Sequence, residues 1–396
     1  MHAVANFKFR DLHSSMQAQV DQGYLPGIST ALFSDGAIVD TFCYGFADME
    51  AGVPLREDHI FRVFSNTKLV TSCAVMMLFE EGLIQWDDPI EAFIPELGAR
   101  QVLKPGATRI DDVEPAKTSI TIRQLMTHTS GLSYGMFDPG TTMYVAYRSA
   151  GVTHPDKSLR EMILALAPLP LSFHPGEKWE YSVATDVLGR LIEIISGMTF
   201  REFLCKRIFE PLGMRDTDFW VPDIKRKRLC ALYRGADPRD STKPGLTRAD
   251  DNPFTNNYTR KLPRESGGGG LVSTLGDTVR LIQSLLSVDS ALLRPDTIAL
   301  MFRNQLGAGL CVQFPNGPRF ENKGFGFGSS VTIATGVGEP DQAIDEVGWG
   351  GLAGTMWWIN PRIGIAGVLM TQRFSTSGNS YSSEFRRQAY KALGFN

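Results

Sequence analysis

The chain has 396 residues, of which 43% are hydrophobic and 21% are charged, and its formal net charge is −3. This composition is typical of a globular protein long enough for more than one core. It excludes the strongly basic class of proteins that bind nucleic acid or anionic membranes through their overall charge.

The cysteine pattern and the N-terminal residues bear on the cellular compartment. The five cysteines are widely spaced and form no paired motif, which argues against a disulfide framework or a zinc site. The first residues form no apolar leader, and no apolar run approaches the roughly 20 residues that a membrane-spanning helix needs. We therefore expect reduced thiols, a cytoplasmic location and no membrane span.

The first predicted elements are a helix and a β-hairpin. Apolar residues recur at helical spacing from Phe9 to Val20, and Pro26-Gly27 ends that pattern. Runs rich in β-branched and aromatic residues then lie on both sides of Ser34-Asp35-Gly36. This arrangement predicts two strands joined by a tight turn.

Helical patterns and loops replace strands between about residues 70 and 210. Strand-like runs return after about residue 215, and two of them flank Pro361-Arg362-Ile363-Gly364 as a second hairpin. A last helix is predicted over residues 382–393. Because strands lie near both termini, we predict one sheet built from both ends of the chain. The predicted domains are an α/β domain of residues 1–75 and 215–396 and a helical domain of residues 76–214.

The tetrapeptide Ser65-Asn66-Thr67-Lys68 stands directly before an apolar helical pattern. On a helix, residues three apart share a face, so the lysine amine would lie beside the serine hydroxyl. A serine becomes a nucleophile when a neighbouring base takes its proton. A lysine can be that base when a helix N-terminus and burial disfavour its positive charge. The alternative is a helix-capping serine followed by a solvated lysine.

Three later elements are candidates for the same site. Tyr181 begins a helical pattern, and a tyrosine beside basic groups can relay a proton, although it could equally be a core aromatic residue. Trp349-Gly350-Gly351 precedes a predicted strand, where glycines let the backbone pass close to a substrate and a backbone N–H can hold an oxyanion. The alternative for these residues is a simple turn. His128 is a candidate for either a catalytic residue or a residue that ties down a loop, and we interpret it as the second.

In this order and spacing, the residues resemble the serine β-lactamase and penicillin-binding-protein superfamily, nearest its class C branch and the family VIII carboxylesterases. The pattern S-x-x-K is a known motif of these enzymes. The resemblance extends from Pro26-Gly27 to the C-terminal hairpin. Its other supporting stretches are Leu125 to Leu132, Pro211 to Met214 and Ser266 to Leu271.

The resemblance implies an α+β fold of the β-lactamase type. An antiparallel sheet would be flanked by the N- and C-terminal helices, with an all-helical domain inserted and the active site between the two. No metal and no organic cofactor is implied. The implied site residues are Ser65 as nucleophile, Lys68 as its base, Tyr181 as proton carrier, the N–H groups of Ser65 and Leu352 as oxyanion hole, and Trp349, Gly350, Gly351 and Tyr134 as substrate-binding residues.

Two departures from the superfamily pattern concern the substrate. Val183 stands where lactamases and peptidases have an asparagine, and Trp349 replaces a lysine that pairs with the substrate carboxylate. Both changes remove polar contacts to an anionic, peptide-like substrate. We therefore predict a serine carboxylesterase that hydrolyses small-molecule, short-chain acyl esters.

Three alternatives to this function stay open, and the oligomeric state is left undetermined. The first is a β-lactamase or D-alanyl peptidase, and the second is an acyltransferase that uses the same acyl-enzyme. The third is a non-catalytic binding protein.

A second serine motif is present but lacks the required context. Gly131-Leu132-Ser133-Tyr134-Gly135 matches the G-x-S-x-G elbow of α/β-hydrolases, which needs a strand before it and a helix after it. Here a predicted loop precedes the motif and the helix-breaking Pro139-Gly140 follows it. We expect Ser133 not to be the nucleophile.

Overall fold

An eight-stranded antiparallel sheet forms the centre of the computed structural model, which describes residues 8–237, 239–250, 257–315, 317–336, 339–374 and 379–395. The strands are Gly27–Ser34 (β1), Ala37–Asp48 (β2), Val53–Pro54 (β3), Phe61–Arg62 (β4), Gln101–Leu103 (β5), Val113–Pro115 (β6), Tyr233–Arg234 (β7), Thr247–Arg248 (β8), Val272–Ser273 (β9), Val312–Gln313 (β10), Arg319–Phe320 (β11), Lys323–Phe325 (β12), Ser330–Thr332 (β13), Val347–Gly350 (β14), Met356–Asn360 (β15), Ile365–Met370 (β16) and Arg373–Phe374 (β17).

The sheet joins the two ends of the chain. Its order is β12-β13-β14-β15-β16-β1-β2-β3, so the late strand β16 pairs with the early strand β1. In that pair Ser29 lies opposite Met370. The prediction of one sheet built from both termini is confirmed.

Helices surround the sheet and fill most of the middle of the chain. The α-helices are Arg10–Asp21, Thr67–Glu80, Ile122–Met126, Thr142–Ser149, Leu159–Leu166, Ala184–Ser196, Phe200–Leu204, Glu210–Leu212, Leu275–Leu286, Pro295–Phe302 and Ser380–Ala392.

Alternate side chains of β1 point into two different hydrophobic cores, as the two-residue period of a strand requires. Ile28 and Leu32 pack with Met16 of the first helix and Phe385 of the last helix. Phe33 lies in the larger core on the opposite face. The terminal helices therefore flank the sheet as predicted, and the fold is α+β.

The first hairpin has the predicted turn. Ser34 pairs with Ala37, so only Asp35 and Gly36 connect the two strands. Their φ angles are 51° and 75°, the left-handed values that a type I′ turn needs at both central positions. Aspartate and glycine tolerate those values better than most residues.

The Leu275–Leu286 helix lies among the strand-like runs that follow residue 215, and it was not predicted. Thr274 caps it by accepting a hydrogen bond from the Asp277 N–H, a local signal that was present in the sequence. Conversely, β5 and β6 form a small hairpin inside the stretch predicted to be all-helical. The two-domain division stays a prediction.

The helices within the described ranges are short or carry polar faces. None of them is both long enough and apolar enough to cross a lipid bilayer.

We predict that the register of β15 against β16 depends on Gly367. This glycine pairs with Trp358, and a Cβ atom at Gly367 would lie 2.6 Å from two atoms of the indole. Gly367→Ala should therefore lower the free energy of unfolding by about 2 kcal/mol, as overpacking does in other cores. Gly307→Ala is the control, because a Cβ atom at that position would have no neighbouring atom within 4 Å. Equal melting temperatures in calorimetry for the two variants would contradict this prediction.

Candidate active site

Ser65 lies in a short 3₁₀ turn, Phe64–Asn66, that leads directly into the Thr67–Glu80 helix. Phe64 adopts a φ of 42°, which is strained for a residue with a side chain. Its ring packs edge-on against Tyr258 at 5.4 Å, and this contact helps to hold the strained turn. Such strain concentrates at functional positions. Ser65 is thus fixed at the start of a helix, as the motif predicted.

The Thr67–Glu80 helix is a rigid support for this turn. All its residues from Thr67 to Leu78 are buried, so the helix runs through the interior of the protein. A helix that is buried on every side is held by packing all round. The position of Lys68, one turn from Ser65, is therefore set by the core.

Lys68 is fully buried, and its amine faces the nucleophile. The distance from Lys68 Nζ to Ser65 Oγ is 3.5 Å, and the amine donates a second hydrogen bond of 2.6 Å to the carbonyl of Gly268. Nζ also lies 4.4 Å from the centre of the Tyr181 ring. Within the described part of the chain, no carboxylate pairs with this amine. Its partners are a hydroxyl, a carbonyl and aromatic faces.

A short ladder brings Gly268 to Lys68 across 200 residues of sequence. Strand β4, just before Ser65, pairs with β9, just after the glycine-rich segment. The Leu271 N–H donates to the hydroxyl of Thr67, which fixes the segment against the helix start. The Gly268 carbonyl is therefore part of the site.

Tyr181 completes the group around the nucleophile. Its hydroxyl donates a 2.7 Å hydrogen bond to Ser65 Oγ, which makes it the nearer of the two proton-transfer partners. The indole Nε1 of Trp349 donates to the same phenol oxygen at 3.3 Å. The Tyr181 hydroxyl thus links Ser65 to the indole of Trp349 through two successive hydrogen bonds.

His128 holds the chain on both sides of Tyr181. Its carbonyl accepts from the N–H of Glu180, and its Nδ1 accepts from the N–H of Ser182. Complete burial, together with the nearby charge of Lys68, holds the pKa of His128 well below its usual value. A neutral imidazole suits the acceptor role of Nδ1. This geometry fits the interpretation of His128 as a residue that ties down a loop.

The end of β14 approaches the nucleophile turn closely. A Cβ at Gly351 would overlap the carbonyl oxygen of Val63, two residues before Ser65, whereas Gly350 has more room. Leu352 follows and packs against a cluster that contains Phe64. Its N–H forms no hydrogen bond with any residue that the structure describes. Leu352 therefore keeps a free donor on the strand end that approaches the nucleophile turn.

Aromatic side chains form a wall around Tyr181. Tyr134 stacks on it with centroids 5.5 Å apart, and Phe137 and Phe314 contact it at 5.6 Å. Trp349 lies at 5.4 Å and, like the other three, is half-buried. Burial and the charge of Asp186 hold the pKa of Tyr134 well above its usual value. A substrate carbonyl at Ser65 would meet mostly aromatic surface.

The structure places Ser133 outside this group. It is buried in a loop, its N–H donates to the hydroxyl of Tyr147, and no strand precedes it. It lacks the strand–turn–helix context of a nucleophile elbow. The prediction against Ser133 is consistent with this environment.

The residues predicted from sequence largely meet in space. Ser65, Lys68, Tyr181 and Trp349 lie in one hydrogen-bonded group, with Tyr134 stacked beside it. Sequence reasoning did not identify the Gly268 carbonyl or the indole bond to Tyr181. No local signal could have found them, because each joins segments far apart in the chain. Among the described residues, no group of three or more His, Cys, Asp or Glu side chains is placed to hold a metal ion.

Comparisons with known proteins agree with this geometry. A protein-family model described as Beta-lactamase matches residues 12–391. The lovastatin esterase of Penicillium rubens is 30% identical over 90% of this chain and 91% of its own length. Esterase EstB of Burkholderia gladioli is 30% identical over 88% and 86%, respectively.

A solved structure extends the likeness to three dimensions. EstCE1, described as a hydrolase with promiscuous acyltransferase activity, superposes with a TM-score of 0.80 at 25% identity, covering 99% of this chain and 100% of its own. The resemblance to the serine β-lactamase superfamily and its family VIII carboxylesterases is confirmed. The chain belongs to the beta-lactamase family.

Proposed function

We propose that this protein is a serine esterase that hydrolyses small acyl esters through an acyl-enzyme on Ser65. The observation that carries the proposal is the contact of one serine hydroxyl with both Tyr181 Oη, at 2.7 Å, and Lys68 Nζ, at 3.5 Å. A nucleophile beside a base that is itself held in place is the arrangement that acyl transfer requires. The esterase relatives support the same reaction class.

In the first step, Ser65 Oγ attacks the ester carbonyl carbon while its proton passes to the Tyr181–Lys68 pair. Lys68 Nζ, 3.5 Å from Ser65 Oγ, takes the serine proton, while the Tyr181 hydroxyl, 2.7 Å from the same oxygen, keeps the proton that it later gives to the leaving alcohol. The Trp349 N–H supports negative charge on the phenol oxygen. The leaving alcohol departs with a proton from Tyr181, and the acyl group stays on Ser65.

The oxyanion formed in each step needs donors aimed at it. The backbone N–H groups of Ser65 and Leu352 are the proposed donors. The free Leu352 N–H and the close approach of Gly351 to Val63 support this assignment. In the second step, water loses a proton to the same pair and attacks the acyl carbon, and Ser65 regains its proton.

Neutral esters suit this site better than anionic amides. Val183 is completely buried and has no polar group to offer a substrate amide. The indole of Trp349 is neutral, and its only N–H already donates to Tyr181. It therefore offers a substrate carboxylate neither a positive charge nor a free hydrogen-bond donor. Trp349, Gly350, Gly351 and Tyr134 would instead form an apolar surface for the substrate.

Acyl transfer to an alcohol is the second candidate function. The structural relative EstCE1 is described as a hydrolase that also has promiscuous acyltransferase activity. Both reactions share one acyl-enzyme and differ in whether water or an alcohol attacks it. The aromatic wall around Tyr181 would favour an apolar alcohol as the acceptor.

We predict that Ser65→Ala lowers the kcat for p-nitrophenyl butyrate by at least about four orders of magnitude, because the nucleophile is lost. Ser133→Ala should keep most of the activity, since that serine contacts none of the proposed catalytic groups. Labelling with a fluorophosphonate, followed by peptide mass spectrometry, identifies the modified serine. A label on Ser133 would refute the assignment.

Lys68 and Tyr181 should act as one unit. Lys68→Ala and Tyr181→Phe are each expected to lower kcat by about three orders of magnitude, and the double variant only slightly more. The reason is that both side chains serve the transfer of one proton. Losses that multiply in the double variant would instead assign them to separate steps.

Short-chain esters should be hydrolysed far faster than β-lactams. The absent neutral contact to the amide costs about 0.5–1.5 kcal/mol and the absent contact to the carboxylate about 1.5–3 kcal/mol. Together they correspond to roughly one and a half to three orders of magnitude in kcat/KM. The measurement compares p-nitrophenyl butyrate with nitrocefin on one preparation, with Ser65→Ala as the blank. Similar kcat/KM values for the two substrates would favour the lactamase alternative.

A further inference from the structure

A buried carboxylate lies on the other side of the glycine-rich segment from the Lys68 amine. Asp186, in the Ala184–Ser196 helix, has no exposed surface. Its Oδ1 accepts a 2.6 Å hydrogen bond from the hydroxyl of Ser266 and lies 3.2 Å from a guanidinium nitrogen of Arg264. Asp186 therefore anchors the segment that begins at residue 264.

The same segment carries the carbonyl that holds Lys68. The Gly267 carbonyl accepts from the hydroxyl of Thr71, and the Gly268 carbonyl accepts from Lys68 Nζ. Asp186 fixes one end of this segment, and the Thr67–Glu80 helix fixes the other. The amine that faces Ser65 is thus held by a carbonyl whose own position depends on Asp186.

Gly268 is confined between these groups. A Cβ atom there would lie 2.8 Å from Asp186 Oδ2 and 3.1 Å from the hydroxyl oxygen of Tyr134. Asp186 Oδ2 has no hydrogen-bond partner among the described residues, so this oxygen is packed against the glycine rather than bonded to it. A side chain at Gly268 would therefore require a shift of the Gly268 backbone, of Asp186 or of Tyr134.

We propose that Asp186 is a positioning residue for the reaction: through Ser266 it sets the Gly268 carbonyl, which holds the Lys68 amine within reach of Ser65. The Arg264 guanidinium balances the buried carboxylate. This inference rests on the proposed esterase function.

Two neighbouring glycines provide a matched test. Gly268→Ala brings a Cβ atom against Asp186 and Tyr134 and should displace the backbone that carries the carbonyl bound to Lys68. A displacement of about 1 Å can lower kcat about 100-fold. Gly269→Ala is the control, because its nearest atoms would lie 3.7 Å from the new Cβ, an ordinary contact distance. We expect Gly268→Ala to lose about 100-fold in kcat for p-nitrophenyl butyrate with KM within about threefold, and Gly269→Ala to stay within about twofold of the wild-type kcat.

The carboxylate itself is tested by two substitutions. Asp186→Asn keeps an oxygen for Ser266 and Arg264 and should retain kcat within a few-fold, whereas Asp186→Ala should lose about tenfold or more. Asp277→Ala is the matched control for stability, because Asp277 is also a buried carboxylate bonded to a hydroxyl and an arginine, outside the proposed site. It should lower the melting temperature without changing kcat.

Several outcomes separate the two proposals. If Gly268→Ala and Gly269→Ala have equal kcat, or if Asp186→Asn loses as much as Asp186→Ala, the positioning role is wrong while the esterase function stands. If Asp186→Ala does not fold, Ser266→Ala decides, because it removes the hydroxyl that connects Asp186 to the segment. It should also lose about tenfold in kcat, and an unchanged kcat would refute the positioning role. If the wild-type protein hydrolyses no ester, the proposed function fails, and the rate of fluorophosphonate labelling of Ser65 in the glycine variants still tests the positioning role.

Discussion

The burial of a lysine amine beside a serine hydroxyl is the constraint around which the rest of this site is organised. A buried amine must have hydrogen-bond partners, since an unsatisfied polar group costs about 1–3 kcal/mol. In this protein the partners of Lys68 are Ser65 and the Gly268 carbonyl, not a carboxylate. The Gly268 carbonyl fixes the position of the amine beside Ser65.

This constraint explains why three distant parts of the chain meet at one point. The β4–β9 ladder brings the glycine-rich segment to the helix start, and the end of β14 reaches the turn before Ser65. Tyr181 arrives from the helical region, and His128 holds the chain on both sides of it. Each contact is made by backbone or by a side chain locked in the core. The site is therefore built on rigid elements, as precise proton transfer requires.

Local sequence signals predicted the elements that depend on local physics. The turn at Asp35-Gly36 needs only two residues with left-handed backbone angles, and the relation of Ser65 to Lys68 needs only a helical turn. The Trp349–Tyr181 bond was not predictable in this way, because the two residues are 168 positions apart. Its existence depends on the register of β14 against β15, which no short motif encodes.

The same limit applies to the role of Trp349. From sequence, the indole could be read only as an apolar replacement for a charged residue. In the folded chain its single N–H is directed at the phenol of Tyr181, so one side chain provides both an apolar surface and a polar contact to the proposed proton carrier. Whether a tryptophan offers apolar surface or a hydrogen-bond donor depends on the orientation of its ring, and the assembled sheet sets that orientation.

The pairing of β1 with β16 has a consequence for how the protein is made. Ser29 cannot meet Met370 until synthesis has passed residue 370. During translation the β1–β2 hairpin can close early, but the other edge of β1 stays open while the helical region emerges from the ribosome. Unpaired strand edges promote association between chains. The nascent chain therefore carries an open β1 edge until β16 has been made, and this edge is where association between nascent chains is expected.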